Sequence, residues 1–147
     1  MRQLKATEEQ EQMALVEWIN LLTIEGIRMG DYLHHSPNGG KRSKSEGSRF
    51  KKMGTKAGFP DLFLALPVIK NKSIHRAGLF IEMKSRNGKV SKKQKSFIDN
   101  LRAVGYETAI CYGYEDAKKA VMEYFKNSNL WSPAYYFLTP LYSKEVD

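Results

Sequence analysis

The 147-residue sequence predicts a small α/β domain, a mixed β-sheet flanked by helices on both faces. Three observations predict it. Short apolar runs with strand character recur at 61–66, 79–84 and 107–112. Apolar stripes at helical spacing lie around them, two of them opened by capping pairs. The strand–helix–strand unit over 79–112 has the length of a right-handed parallel crossover.

Each element has a local reason. Thr7 and Gln10 have capping-box spacing, and Leu15, Trp18, Ile19 and Leu22 follow as one helical stripe. Gly26 and Gly30 close that region. The stretch 34–58, HHSPNGGKRSKSEGSRFKKMGTKAG, is rich in Gly, Ser and Lys. It reads mostly as loop, with a short helix over Ser48–Met53. Gly58 and Pro60 lead tightly into a strand, Asp61–Leu66, which Pro67 ends. A polar connection, Val68–Ala77, leads to a second strand, Leu79–Lys84. Leu79, Ile81 and Met83 face one way along it, and Phe80, Glu82 and Lys84 the other.

Asn87-Gly88 is a turn signal. Ser91 and Gln94 form a second capping pair, opening a helix whose stripe is Phe97, Ile98, Leu101 and Val104. Gly105 suits the position just past its end. Glu107–Tyr112 is the third strand, with Cys111 as a core filler. Asp116 is expected to cap a last helix carrying Ala120, Val121, Tyr124 and Phe125. The domain is expected to span 1–126. Residues 127–147, with Trp131, Tyr135, Tyr136 and Phe137, read as a tail packing on the domain or on a partner subunit.

Composition excludes several classes. With 41% hydrophobic and 27% charged residues the chain is globular, not disordered, coiled-coil or fibrous. One cysteine excludes an intrachain disulfide. No apolar run approaches the roughly 18 residues of a membrane span, and the N-terminus is too charged for a signal peptide. The expectation is a soluble cytoplasmic protein with no membrane partner.

The net charge of +8 is unevenly placed. Residues 41–95 hold 16 basic and three acidic side chains (Glu46, Asp61 and Glu82), so the rest of the chain is net acidic. Lys41, Arg42, Lys44, Arg49, Lys51, Lys52 and Lys56 form one cluster. Lys84, Arg86, Lys89, Lys92, Lys93 and Lys95 form another. A solvated basic face would explain them. A phosphate-binding surface also explains why the acids in this zone are so few.

Those acids carry the chemistry. In an antiparallel hairpin, paired positions sum to a constant. Asp61 and Glu82 share that constant with a hairpin centred at 71–72, so they should sit side by side with Lys84 on the same face. Two close carboxylates repel unless a cation neutralises them. Mg²⁺ is commonly held by one or two carboxylates plus phosphate oxygens, and Lys84 could orient water or stabilise developing charge. The pattern fits phosphodiester hydrolysis. The plainer alternative is a Lys84–Glu82 salt bridge with Asp61 as a helix cap.

Pro-Asp, then Glu-x-Lys twenty residues on, resembles the PD-(D/E)XK nuclease superfamily. The runs KAGFPDLFLALP and GLFIEMKSRNGKVSKKQKSFIDNLRAVGYETAICYGYEDAKKAV more narrowly resemble the VRR-NUC family, the virus-type replication–repair nuclease domain, over Thr7 to Phe125. The resemblance implies a restriction-endonuclease-like core. It places metal-binding residues at Asp61 and Glu82, with the backbone carbonyl of Met83, and the catalytic lysine at Lys84. It places Gln94 beside the active centre and a helical acid at Glu8, which could touch a metal. Gln94 could instead be a plain capping residue, and Glu8 a solvated first-turn acid. Glu11 shares Glu8's stripe and is the weaker candidate.

The cofactor implied is Mg²⁺ or Mn²⁺, with no small-molecule cofactor. The activity implied is a DNA endonuclease acting on four-way junctions or flaps in phage or bacterial replication, recombination or repair, as a homodimer. Pro37-Asn38-Gly39-Gly40 resembles a loop of phage members and is expected to contact DNA. So are Lys41, Arg42, Lys44, Arg49, Lys51, Lys52, Lys56, Arg86, Lys89, Lys92 and Lys93. A non-catalytic nucleic-acid-binding module and a sequence-specific restriction-type nuclease are the alternatives. His34 and His35 read as loop histidines near DNA, with no further ligand to build a zinc site.

Overall fold

The computed structural model describes residues 6–37, 42–126 and 129–130. Helix α1, Glu8–Leu21, starts at the Thr7 capping box, in which both reciprocal bonds with Gln10 form. Two tiny strands follow, β1 (Thr23–Ile24) and β2 (Ile27–Arg28), then a 3₁₀ turn (Met29–Tyr32) and β3, Leu33–His35. Helix α2 runs Lys44–Lys52 and strand β4 Leu62–Leu64. Next come β5 (Val68–Lys70), β6 (Ser73–Arg76) and β7 (Leu79–Lys84). Helix α3 (Lys92–Ala103), strand β8 (Glu107–Tyr112), helix α4 (Tyr114–Phe125) and β9 (Asn129–Leu130) follow.

The main sheet has the order β3-β4-β7-β8. Its first three strands are antiparallel and β8 runs parallel to β7, so the sheet is mixed, as the sequence predicts. One face packs on α1 and α4. Leu15, Ile19, Ala117, Val121 and Tyr124 close over Leu62, Leu64, Leu79, Ile81 and Met83 in a single buried cluster. The Tyr124 hydroxyl ties α4 to the chain beyond β4 by donating to the Leu66 carbonyl at 2.6 Å. The other face is aromatic. Phe63 stacks on Phe80 with centroids 4.2 Å apart, and Phe59 bridges Phe80 to Phe97 of α3 edge-on. Both faces of β7 are thereby covered, and every residue from Leu79 to Met83 is buried.

The β4–β7 register is the expected one, pairing Leu62 with Ile81, Phe63 with Phe80 and Leu64 with Leu79. The intervening stretch corrects the sequence reading. Val68–Ala77 is not an open connection but the tip of the same long hairpin, with Ile69 opposite Ile74 and Lys70 opposite Ser73. Its turn falls at Asn71-Lys72, both left-handed, with φ of 53° and 63°. A bulge at Val68/Ile69 interrupts the ladder. There β5 pairs on its other side with β9, the one described piece of the tail. Trp131, Tyr135, Tyr136 and Phe137 lie outside the described residues.

Other expectations are also corrected. The 34–58 stretch is less of a loop than its composition suggests. His34 and His35 belong to β3, which pairs with β4. Helix α2 begins at Lys44, well before Ser48, because Ser43 and Glu46 make a capping box. Helix α4 begins at Tyr114 with Gly113 as its cap, and Asp116 reaches back to the Tyr112 N–H. The 61–66 strand shortens to its three central residues, since Pro60 and Pro67 cannot join the ladder. The remaining helix and both long strands fall where expected, and Cys111 is buried. Among the described residues no helix is long and apolar enough to cross a membrane.

Lys72 holds a backbone conformation that costs an L-residue about 1 kcal/mol and glycine almost nothing. Lys72→Gly should therefore stabilise the fold by up to about 1 kcal/mol in urea unfolding.

Candidate active site

The site forms where β4 begins and β7 ends. Asp61 precedes β4 by one residue, on the face shared with Phe63, Phe80 and Glu82. Its Oδ2 accepts the Met83 N–H at 2.8 Å across the strand pair, so it caps no helix. Glu82 is 3% exposed, and its Oε1 meets the Lys84 ammonium at 3.1 Å. The expected salt bridge is thus present, but nearly buried, with the Lys84 side chain 11% exposed.

Gln94 points into the same place and reconciles its two readings. Its Oε1 accepts the Ser91 N–H at 2.9 Å, completing the capping box of α3. That fixes the amide, and its Nε2 donates to Glu82 Oε1. The helix cap therefore aims the donor at the carboxylate.

Glu8 also reaches this end of the sheet, where its charge acts on both Asp61 and Glu82. Its Oε2 accepts the N–H of Ser85 at 2.8 Å, joining the start of α1 to the chain just past Lys84. Glu11 accepts the Tyr114 N–H at 2.7 Å and supplies the cap that Gly113 lacks for α4.

Two further contacts position the Asp61 segment. His35 Nδ1 lies 2.9 Å from the Asp61 carbonyl, where a protonated Nδ1 braces the Asp61 backbone from β3, and 3.0 Å from the Gln12 side-chain amide of α1. Gly58 has φ +86°, and a Cβ there would sit 2.9 Å from Lys93 Cβ and 3.1 Å from Gln94 N. Only glycine lets the Asp61 segment approach the first turn of α3 so closely. The G-F-P-D spelling was its one hint.

Both carboxyls of the pair are shifted upward. Burial pushes the Glu82 carboxyl up to about 7, with the charges of Asp61 and Glu8 adding to the rise and Lys84 opposing it. Asp61 is also raised, first by burial and then by Glu8, against its Met83 hydrogen bond. Among the described residues, no hydrogen-bond donor engages Asp61 Oδ1 or Glu82 Oε2. No group of three His, Cys, Asp or Glu side chains among those residues could hold a metal ion. The donor set that fits a hard divalent cation is therefore two carboxylate oxygens supplemented by main-chain, water or phosphate oxygens.

The expected nucleic-acid residues surround this end of the molecule in sequence and are mostly exposed. Lys44, Arg49, Lys51 and Lys52 project from α2, which buries no residue, and Lys56 follows it. Arg86 and Lys89 lie on the turn after β7, and Lys92 and Lys93 in the first turn of α3. Arg42 stacks over the Phe50 ring at 4.3 Å and donates to the Pro37 carbonyl. Asn38 and Lys41 lie outside the described residues.

A mixed sheet of this order, clasped between helices, is a fold found in nuclease domains, and comparison with known proteins specifies which. A family model for the VRR-NUC domain matches residues 6–115, and the chain belongs to that family, a family of nucleases. A solved VRR_NUC domain protein superposes with a TM-score of 0.69 at 30% identity, covering 84% of this chain and 92% of its own. No protein of curated function matches the chain.

Two glycines should respond oppositely to alanine. Gly58→Ala forces a left-handed backbone and a close contact with α3, and should cost about 1–3 kcal/mol. Gly47→Ala, inside α2 with open space around it, should gain up to about 1 kcal/mol. Urea denaturation of both variants checks the pair.

Proposed function

We propose that this protein is a Mg²⁺- or Mn²⁺-dependent DNA endonuclease. The observation that carries the reading is the convergence of Lys84 and Gln94 on one oxygen of Glu82, beside Asp61, whose Oδ2 takes the Met83 N–H. Asp61, Glu82 and the Met83 carbonyl would hold the cation. A divalent ion there would polarise a phosphoryl oxygen and lower the pKa of water.

The chain's own residues do the rest. Gln94 holds Glu82 in place through an amide whose other end is committed to the helix cap. Lys84 supplies positive charge to the phosphate as a water oxygen adds to phosphorus, the bond to the leaving sugar oxygen breaks, and that oxygen takes up a proton. Glu8 fixes the main chain on the far side of Lys84 and is a positioning residue. The lysines and arginines of α2, the β7–α3 turn and α3 bind the backbone by counterion release.

Family membership supports nucleic acid as the substrate. The finer reading is selectivity for branched DNA, four-way junctions or flaps, in phage or bacterial replication, recombination or repair. A homodimer would suit a symmetric junction by presenting two sites.

The test is cleavage of end-labelled junction, flap, single-strand and duplex DNA with Mg²⁺ or Mn²⁺. Wild type should cut only with metal, and Lys84→Ala should lose about 100-fold or more in rate, the scale of one lost electrostatic stabiliser. Salt-sensitive binding without cutting would make the protein a binding module. Discrete plasmid fragments would make it a sequence-specific nuclease.

A further inference from the structure

The basic residues are not spread evenly over one face. Three of them meet across a groove between the C-terminal end of α2 and the N-terminal half of α3. Lys51 and Lys56 stand on one wall, and Lys93 and Ser96 on the other. Thr55, Ala57 and Phe97 complete the lining, whose exposed surface is mostly apolar and includes no acidic side chain. The groove also adjoins the candidate site covalently. Lys93 precedes Gln94, the donor to Glu82. Its Cβ faces Gly58, three residues before Asp61.

This combination selects among nucleic-acid conformations. A duplex presents phosphates outward and keeps its base faces stacked inside, so it can use the lysines but not the apolar floor. An unpaired strand offers both its backbone charge and its base faces. We propose that the α2–α3 groove is a track for a single-stranded segment of the substrate, leading away from the cleavage site. The inference takes its substrate class from the nuclease reading and adds the unpaired strand to it. It also assigns to Ala57, Ser96 and Phe97 a contact that the charge pattern alone does not reveal.

The test is binding in EDTA, where no cutting occurs, so that it succeeds or fails separately from the nuclease reading. Fluorescein-labelled oligothymidylate and a blunt duplex of equal length are titrated with wild type, Lys51→Ala/Lys56→Ala/Lys93→Ala, and Ser96→Glu. The triple variant should lose about tenfold or more in oligothymidylate affinity, and its log–log salt slope should fall by about 2, three single-strand contacts' worth. Ser96→Glu, which adds a negative charge while leaving every lysine in place, should weaken the same probe. Duplex affinity should fall clearly less in both variants. Equal losses for the two probes would overturn the proposal, because the lysines would then be a diffuse basic surface. Unchanged oligothymidylate binding would overturn it as well.

Discussion

The pairing of Leu62–Leu64 with Leu79–Ile81 is the constraint on which the rest of the molecule depends. A slip of one residue would turn every side chain of one strand to the opposite face. Here both faces resist that slip. On one, Leu62, Leu64, Leu79 and Ile81 are almost completely buried under α1 and α4. On the other, Phe63 and Phe80 stack, and Phe59 and Phe97 lock α3 over them. The same register puts Asp61 and Glu82 on the α3 side at the open end of the pair. Apolar packing thus holds two carboxylates at a separation that their own charges oppose.

What converges on that pair explains how the fold tolerates it. Lys84 and Gln94 both address Glu82 Oε1, and the Met83 N–H addresses Asp61 Oδ2. These contacts offset burial only in part, since Glu82 still rises to about 7. Buried acids with raised pKa values beside a charge partner are a recurrent sign of function, where stability is given up for chemistry. The supporting contacts come from everywhere in the chain. Glu8 braces the end of β7, His35 the Asp61 backbone, and Gly58 the approach of α3.

Much of this was legible in sequence because it is local or periodic. Capping pairs at Thr7 and Ser91 placed two helices correctly, and hairpin arithmetic placed Asp61 opposite Glu82. It even located the turn at 71–72, although the strands flanking that turn were read as loop. Strands of two to four residues, such as β1, β2, β3, β5 and β6, are too short to show alternation. The roles of Glu8 and Glu11 were opaque for another reason. One accepts an N–H 77 residues away and the other an N–H 103 residues away, and helical periodicity cannot distinguish a ligand from a brace or a cap. Gln94 was ambiguous in sequence because it does both things at once.

The central claim is that Asp61 and Glu82 are held together to take a divalent cation. Calorimetric titration of Mn²⁺ into wild type, Asp61→Asn and Glu82→Gln, each shown folded by urea unfolding, tests it most directly. The account predicts saturable binding by wild type that weakens by about tenfold or more in each variant, as expected when one of two carboxylate ligands is lost. Equal Mn²⁺ affinity in all three proteins would contradict it.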